Sequence, residues 1–311
     1  MKYFITGGAG FIGSHMVDAL VDKGQVTVFD NLSSGQLDFI KEHLSKPNLQ
    51  FIEGDCGDLA HLKQAMAGHD LAIHYASNPD IARGFFETDL DLREGTILTY
   101  NVLEAMRATG VKRILYTSGS GIYGDVGTTP TPEEFGPLLP ISFYGASKLA
   151  CEGLISGFCF QFDMQGYVLR MGNVVGRRQT HGVSFDFINR LKEDSSTLEI
   201  LGDGTQQKSY VHVSDVIKAH LFVAENTAEV VNVFNLATDD TLDVTSIAHI
   251  VLEEMELNDT QLAYTGGDRG WKGDVPQVRL PVEKLKALGW SCAHNSAQSV
   301  RRSVREMLGK E

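Results

Sequence analysis

Residues 2–13 read KYFITGGAGFIG, with glycines at positions 7, 10 and 13. This segment predicts a short apolar strand, Lys2 to Thr6, that opens directly into a glycine-rich turn and then into a helix. Such a turn brings backbone N–H groups and a helix N-terminus close to a pyrophosphate, with no side chain between them. A strand before the glycines and a helix after them make the signal stronger than glycines alone. The predicted cofactor contacts from the turn are Gly7, Gly10, Phe11, Ile12 and Gly13.

An acidic residue follows at the spacing that is typical of a dinucleotide site. Asp30 ends a second predicted strand, residues 25–29, and lies 23 positions after Gly7, close to the roughly 20-residue spacing of the dinucleotide fingerprint. A carboxylate there accepts hydrogen bonds from ribose hydroxyls and repels a 2′-phosphate, so NAD is favoured over NADP. The polar loop that follows adds candidate ribose contacts at Asn31, Ser33, Ser34 and Gly35.

Strands continue to alternate with helices through the first half of the chain. Further strands are predicted at about 48–53, 71–75 and 112–117, and a long helix at about 90–109. This alternation indicates a parallel, doubly wound sheet whose ligand lies at the carboxyl ends of its strands. Residues at or just after these strand ends are predicted to line the cofactor: Asp55, Cys56, Tyr75, Ala76 and Ser77.

The pattern becomes less regular after Arg170, with glycine-rich loops, short strands and helices. We predict an α/β fold: a Rossmann-type doubly wound parallel sheet with a smaller, interleaved α/β C-terminal substrate-binding lobe. The predicted NAD-binding Rossmann domain spans 1–171, and the chain returns to it near 209–236. The remainder of 172–311 is predicted to form mainly the substrate-binding lobe.

The strongest candidate for bond-changing chemistry is the pair Tyr144 and Lys148 in the segment YGASK. On a helix, residues four apart share one face. An ammonium group beside a phenol favours the phenolate, which can then act as a general base. The motif alone is weak, because most such pairs are a surface tyrosine and a solvated lysine. The predicted cofactor beside it gives it weight.

Composition narrows the class of protein. The chain has 311 residues, 42% hydrophobic content and a net charge of −13, which argues against a nucleic-acid or anionic-membrane binder. Four cysteines show neither a C-x-x-C pair nor a cluster with histidine, so we expect reduced thiols and no metal site. We find neither a signal-peptide pattern nor an apolar stretch long enough to span a bilayer. We therefore expect a cytoplasmic protein.

Motifs along nearly the whole chain resemble those of the extended short-chain dehydrogenases/reductases. Within this superfamily the chain is most similar to NAD-dependent sugar-nucleotide epimerases of the UDP-glucose 4-epimerase type. The matching segments are TGGAGFIGSH at 6–15, Asp30-Asn31, Gly54-Asp55, IYG at 122–124, YGASK at 144–148, RMGNVVGRR at 170–178, GDG at 202–204, YVHVSDV at 210–216 and DRGWKGDVP at 268–276.

The resemblance implies a mechanism for Tyr144 and Lys148. Tyr144 would take the proton of a sugar hydroxyl while the carbon beneath gives hydride to NAD, and Lys148 would hold the nicotinamide ribose. The 4-keto sugar would then turn over and receive the hydride on its other face. The resemblance further implies a homodimer formed through the 90–109 and 146–162 helices. It also implies nucleotide-sugar contacts at Asn173, Gly182, Val183, Ile200, Leu201, Lys208 and Arg269.

One departure from the family pattern concerns proton transfer. The family carries a catalytic Ser or Thr four residues before the tyrosine of IYG, and here that position is Gly119. Ser118 and Ser120 flank it, and either could supply the hydroxyl. Positions 120 and 121 are Ser and Gly, so the acidic pair of the 4,6-dehydratases is absent and dehydration is disfavoured.

Three functions remain open on the sequence. The leading one is a nucleotide-sugar epimerase acting at C4 of a UDP-hexose. The second is an oxidoreductase or epimerase that acts on another nucleotide sugar or another carbon. The third is a non-catalytic NAD-binding protein, in which Gly119 marks lost chemistry.

Overall fold

A computed structural model describes residues 1–311 and contains nine α-helices and thirteen strands. The strands are β1 (Lys2–Thr6), β2 (Gln25–Asp30), β3 (Leu49–Glu53), β4 (Leu71–His74), β5 (Arg113–Gly119), β6 (Gln165–Met171), β7 (Asn173–Val175), β8 (Thr197–Ile200), β9 (Gln207–Lys208), β10 (Tyr210–His212), β11 (Val231–Leu236), β12 (Leu242–Asp243) and β13 (Gln261–Tyr264). The helices are α1 (Phe11–Leu20), α2 (Leu59–Met66), α3 (Leu98–Thr109), α4 (Phe143–Phe162), α5 (Val183–Glu193), α6 (Val213–Asn226), α7 (Val244–Met255), α8 (Glu283–Ala287) and α9 (Ser296–Met307).

Seven strands form one central sheet in the order β11-β6-β5-β4-β1-β2-β3. The pairs β1–β2, β2–β3, β1–β4 and β4–β5 are parallel. The strand order reverses direction at β1, since β2 and β3 lie on one side of it and β4 on the other. In doubly wound sheets the ligand binds at such a reversal point, outside the carboxyl ends of the strands. The predicted Rossmann-type fold is confirmed, and the glycine turn follows β1 at this point.

The chain forms two compact units. The first contains Met1–Gly119, Phe143–Arg170 and Ile217–Phe234, and the second contains Ser120–Ser142, Met171–Val216 and Asn235–Glu311. Each has its own apolar core: β1, β4, β5, α3 and α4 supply the first, and α5, α7 and α9 supply much of the second. The predicted boundaries therefore need correction, because 120–142 lies in the second unit and the return to the first begins at 217.

Two helices differ from their predicted bounds. The helix predicted at about 90–109 contains a π-helical turn, Leu92–Ile97, before α3 begins. Helix α4 begins at Phe143, so Tyr144 lies in its first turn and Lys148 lies about one turn later. No helix combines the length and the apolar character that crossing a membrane requires.

A partly buried carboxylate connects α9 to the region around β10 in the second unit. Glu306 Oε2 lies 3.2 Å from His212 Nε2 and accepts a 2.9 Å hydrogen bond from the Arg177 amide. Arg302 Nε donates to the other carboxylate oxygen over 3.0 Å. Burial opposes ionisation of Glu306, but the bond and charge of His212, with the other donors, lower its pKa to about 2. The folded chain thus favours the ionised carboxylate.

This contact predicts a loss of stability in acid. The folded-state pKa of Glu306 is below its ordinary value of 4.5, so its contribution is complete above about pH 4.5 and falls as the pH approaches 2. We expect Glu306→Gln to lower the free energy of unfolding at pH 6 by up to about 3 kcal/mol. At pH 3 the difference from wild type should be about 1 to 2 kcal/mol smaller. Denaturant unfolding at the two pH values measures this, and an equal difference at both would contradict it.

Candidate active site

The glycine turn after β1 is packed too tightly for side chains at two of its positions. Gly7 has a φ of +68°, and a Cβ there would lie 2.6 Å from the backbone nitrogen of Ala76. A Cβ at Gly13 would overlap the carbonyl oxygen of Gly7. Only glycine lets the turn, the start of α1 and the backbone after β4 approach so closely. The turn therefore places no side chain of its own over the start of α1, while its Gly7 and Gly10 amides donate to the Phe29 and Gly7 carbonyls.

The N-terminus of α1 favours an anion. Its N-cap residue is Gly10, no side chain caps the helix, and the first turn contains no acidic residue. The first amides of a helix have no partner within the helix, and the helix dipole adds partial positive charge there. The start of α1 thus fits a phosphate group of a dinucleotide.

Asp30 is buried at the end of β2, where backbone amides orient its carboxylate. Ala9 N–H donates to Oδ2 over 2.9 Å, and Leu32 N–H donates to Oδ1 over 2.8 Å. Burial raises the pKa of Asp30, and these two hydrogen bonds oppose the rise. A Cβ at Gly35 would lie 2.8 Å from Oδ1, so the loop passes close to the carboxylate. This carboxylate at the strand end fits a ribose diol.

The loop after Asp30 is held by the loop after β3. Asn31 Nδ2 donates to Asp55 Oδ2 over 2.8 Å, and the Ser33 amide donates to Asn31 Oδ1 over 3.0 Å. Ser34 is exposed beside them. Burial raises the pKa of the Cys56 thiol, while the Cys56 carbonyl accepts a 2.9 Å bond from Asn101. A thiol held protonated by burial is unreactive, so Cys56 can offer its backbone or its surface, but no thiolate.

The segment after β4 adjoins the glycine turn. Tyr75 N–H donates to the Thr6 carbonyl over 3.1 Å, and the next residue, Ala76, is the one that excludes a side chain at Gly7. Tyr75 Oη lies 3.2 Å from Nδ1 of buried His220 on α6. Ser77 is half-buried after Ala76. Small residues at 76 and 77 therefore let the backbone after β4 pack closely against the turn.

His74, at the end of β4, is buried and packed. Its Nδ1 lies 2.7 Å from Thr6 Oγ1 and its Nε2 lies 3.0 Å from Thr99 Oγ1. Burial and the nearby Lys148 charge lower its pKa to about 3. The ring is therefore neutral at physiological pH, and both of its nitrogens are already paired.

Tyr144 and Lys148 meet on α4 with the geometry that the i, i+4 spacing predicts. Lys148 is 5% exposed, and its Nζ lies 5.4 Å from the centre of the Tyr144 ring. The ammonium donates to the Thr117 carbonyl over 3.0 Å and also lies 4.9 Å from the Tyr116 ring centre. A buried cation is thus fixed beside the half-buried phenol, at the end of β5.

Ser118, at the end of β5, is a candidate for the hydroxyl that the family carries at position 119. Ser118 is 2% exposed, and its Oγ is buried with no hydrogen-bond partner in the chain. A Cβ at Gly119 would lie 4.0 Å from Tyr144 Cε1 and would meet nothing closer. Ser120 is half-buried and begins a 3₁₀ turn, Ser120–Tyr123, in the second unit. Space therefore exists for a side chain at position 119, although none is there.

The two predicted phosphate ligands of the second unit already have acidic partners. Lys208 Nζ lies 2.5 Å from Asp274 Oδ1. Arg269 donates to Asp125 Oδ2 over 2.6 Å and to the Asp274 carbonyl over 3.0 Å. Asp274 lies in the matching segment 268–276, but nothing local to Asp125 indicates its pairing with Arg269, 144 positions away. The ion pairs hold both cations in fixed positions.

The other predicted substrate contacts lie at element ends of the second unit. Asn173 begins β7, and its amide donates to the Ser209 carbonyl over 3.0 Å. Gly182 precedes α5 with a φ of +100°, and Val183 is the first residue of that helix. Ile200 ends β8 and is buried, whereas Leu201 is exposed. Of these residues, Leu201 has an exposed side chain, whereas the Asn173 amide and the carbonyl of buried Ile200 are already hydrogen-bonded within the unit.

A doubly wound sheet with this glycine turn and this buried acid defines a nucleotide-binding protein of the Rossmann type. Residues 3–237 match the NAD dependent epimerase/dehydratase family. The chain belongs to that family; it is an enzyme, and its cofactor is NAD. The family resemblance, the fold and the cofactor predicted from the sequence are thereby confirmed.

The chain is also similar to named members over nearly their full lengths. A UDP-glucose 4-epimerase of Azospirillum brasilense is 28% identical, with 99% of this chain and 94% of that protein covered. The crystal structure of a UDP-galactose 4-epimerase is 36% identical with a TM-score of 0.87, covering 100% and 99% of the two chains. The UDP-glucose 4-epimerase of Thermotoga maritima, solved with UDP-glucose, is 31% identical with a TM-score of 0.90 and the same coverage.

Proposed function

We propose that this protein is a nucleotide-sugar epimerase that interconverts UDP-hexoses at C4 through a 4-keto intermediate. The observation that carries the proposal is the buried Lys148 ammonium beside the Tyr144 ring at the end of β5, in a chain of an NAD-dependent epimerase family. The named relatives, which are 4-epimerases of UDP-glucose or UDP-galactose, support C4 and a UDP-hexose as the first choice.

The first unit supplies the cofactor contacts in this proposal. The first amides of α1, which the glycine turn leaves accessible, would hold the pyrophosphate, and Asp30 with the 31–35 loop would hold the adenosine ribose. Asp55 and Cys56 face the adenine, while Tyr75, Ala76 and Ser77 line the path of the dinucleotide. Bound NAD would supply the hydride acceptor, and in its reduced form the hydride donor, for the sugar carbon.

Tyr144 is the acid/base in this proposal. Its phenolate takes the proton from the C4 hydroxyl, and its phenol later returns a proton to the same oxygen. The Lys148 ammonium is fixed by the Thr117 carbonyl and the Tyr116 ring, so it can stabilise the phenolate without having to reorganise. Lys148 thus contributes charge and cofactor-ribose binding, and Tyr144 moves the proton.

The hydroxyl that the family carries at position 119 must come from a neighbour or be dispensable. Ser118 is the better candidate of the two, because its Oγ is buried without a partner next to Gly119. We expect Ser118→Ala to lower turnover by about 10²-fold, as for the loss of a donor to a reacting oxygen. Ser120→Ala should stay near wild type. Turnover numbers of the two variants at saturating substrate measure this; equal activity of Ser118→Ala and wild type would exclude Ser118 from the reaction.

The second unit supplies the nucleotide-sugar contacts in this proposal. Lys208 and Arg269 bind the diphosphate, and their partners Asp274 and Asp125 keep them in place before the substrate arrives. Lysine binds phosphate as a point charge, whereas arginine can present two parallel donors. Asn173 contacts the diphosphate, and Gly182, Val183, Ile200 and Leu201 flank the base.

The assembly and location belong to the same proposal. Exposed apolar side chains along the π-helical turn, α3 and α4 include Leu92, Ile97, Tyr100 and Phe160. A homodimer formed through these helices would cover them. Four cysteines without a disulfide support a cytoplasmic location.

Incubating the purified protein with UDP-glucose or UDP-galactose, without added NAD, tests the proposal. We expect each sugar to be converted into the other, and the same ratio to be reached from either side. The same assay with other nucleotide sugars shows whether the enzyme prefers a sugar or a base other than those of a UDP-hexose. Absence of turnover on every nucleotide sugar, in protein that carries NAD, would contradict the epimerase assignment.

A further inference from the structure

The π-helical turn Leu92–Ile97 packs directly against α4, the helix that carries Tyr144 and Lys148. A π turn interrupts the regular i→i−4 hydrogen-bond ladder of a helix, and such turns recur at functional sites. The interruption here falls between Asp91 and α3. It therefore creates an irregular backbone surface at the place where α4 docks.

Ser147 occupies that surface. Its hydroxyl donates to the Asp91 carbonyl over 2.7 Å and lies 3.0 Å from Thr96 Oγ1. A Cβ on Gly95 would overlap Ser147 Oγ, although it would lie an ordinary 3.4 Å from Ser147 Cβ. A side chain at position 95 is therefore excluded by a single atom, the Oγ of Ser147. We call residues 91–96 the Ser147 socket. The Asp91 carbonyl and the Thr96 hydroxyl contact the Ser147 hydroxyl, and the missing side chain of Gly95 leaves room for it.

The socket joins the catalytic helix to the region beside the glycine turn. Ser147 immediately precedes Lys148. On the other side of the socket, Asn78 Nδ2 donates to Asp91 Oδ1 over 2.9 Å. Asn78 lies two residues after Ala76, whose backbone abuts Gly7. Asp91 is 2% exposed and its Oδ2 has no hydrogen-bond partner. The bond to Asn78 is therefore the side-chain hydrogen bond that orients this buried carboxylate.

We propose that the Ser147 socket sets the register of α4, and that Ser147, Gly95 and Asp91 are positioning residues for Tyr144 and Lys148. The inference rests on the proposed roles of those two residues. A shift of α4 by the width of one side-chain atom would move the phenol and the ammonium together. Misplacement of a catalytic group by about 1 Å can cost about 10²-fold in rate.

A double-mutant cycle at positions 95 and 147 tests the proposal. We expect Gly95→Ala to lower kcat by about 10- to 100-fold, because its new methyl group displaces Ser147 and hence α4. Ser147→Ala removes the clashing oxygen and the two bonds, and should cost about 3- to 10-fold. The double variant should recover to the level of Ser147→Ala, since the new methyl group at position 95 then meets only a Cβ. Gly153→Ala, on the same helix with no atom of this chain within 4 Å of the new Cβ, is the matched control, and its oligomeric state is compared with wild type because α4 is one of the proposed dimer helices.

Measuring kcat and KM separately distinguishes a positioning role from a role in the stability of the fold. Each variant is compared at equal NAD content and well below its melting temperature, and we expect kcat to fall while KM for the UDP-hexose stays near wild type. If Gly95→Ala does not fold, the proposal still requires the double variant to fold and Ser147→Ala to show the kcat loss. Wild-type kcat in Gly95→Ala or Ser147→Ala, or no recovery in the double variant, overturns it. A wild type without turnover would instead overturn the proposed function.

Discussion

Replacing Tyr144 by phenylalanine should lower turnover of UDP-hexoses by about 10³-fold or more, while NAD remains bound. The change removes one oxygen from a half-buried ring beside the Lys148 ammonium and leaves the ring itself in place. No other phenol is held next to that ammonium except Tyr116, which is buried in the core of the first unit. Loss of the proton acceptor should therefore appear in kcat. NAD content after purification should be the same as in wild type.

Tyr264→Phe is the matched control for this prediction. Tyr264 is exposed at the end of β13, and its hydroxyl makes one 3.3 Å contact, to Thr245. We expect this variant to keep wild-type activity. Substantial turnover in Tyr144→Phe, at NAD content equal to wild type, would remove Tyr144 from the acid/base role and direct attention to Ser118.

Replacing Gly13 by alanine should weaken NAD binding by about 10- to 100-fold, the cost of one methyl group forced into a filled space. The new Cβ would overlap the Gly7 carbonyl oxygen and lie 2.8 Å from the Gly8 Cα. Both neighbours are backbone atoms of the turn, so the turn itself must move. The N–H groups that are proposed to hold the pyrophosphate would move with it. Equilibrium binding of NAD to the apoprotein measures the effect.

Gly157→Ala supplies the control for the Gly13 variant. Its Cβ would meet no atom of this chain within 4 Å, and the oligomeric state of this variant is compared with wild type because α4 is one of the proposed dimer helices. Alanine in a helix is favoured over glycine by about 0.5–1 kcal/mol, so the control should be as stable as wild type or more so. Wild-type NAD affinity in Gly13→Ala would show that the turn does not hold the cofactor as proposed.

Sequence patterns predicted the fold because its signals are local. The apolar strands, the glycines at 7, 10 and 13, and Asp30 each lie within about thirty residues of one another. Their spacing is characteristic of one supersecondary unit. The pair Tyr144 and Lys148 was equally local, since four residues on a helix fix a common face. The structure adds the Thr117 carbonyl and the Tyr116 ring as the groups that hold Lys148.

The features that sequence patterns could not predict depend on contacts between distant segments. The π-helical turn at 92–97 changes the helical register without changing the apolar pattern, and the hydroxyl that it accommodates, that of Ser147, lies some fifty positions away. The Arg269–Asp125 pair joins two loops that have no shared motif. Residues 120–142 were predicted within the first domain because they lie between two of its elements. They nevertheless pack in the second unit, where the Thr131 amide and hydroxyl both bond to the Arg279 carbonyl.

The absence of a side chain at Gly119 is not imposed by packing. A Cβ there meets only Tyr144 Cε1, at the ordinary distance of 4.0 Å. The chain therefore has room for the family's Ser or Thr and uses none. We infer that Tyr144 moves the proton either with the help of the buried Ser118 hydroxyl or alone.

In the proposed reaction, C4 is inverted by removing and returning the same hydrogen, and Tyr144 handles only the hydroxyl proton. The most direct test is to convert UDP-galactose in D₂O and measure deuterium at C4 of the product UDP-glucose. We predict full conversion to the equilibrium ratio with no deuterium at C4, because that hydrogen never exchanges with solvent. Deuterium at C4 of the product, or no conversion by NAD-containing protein, would contradict the claim.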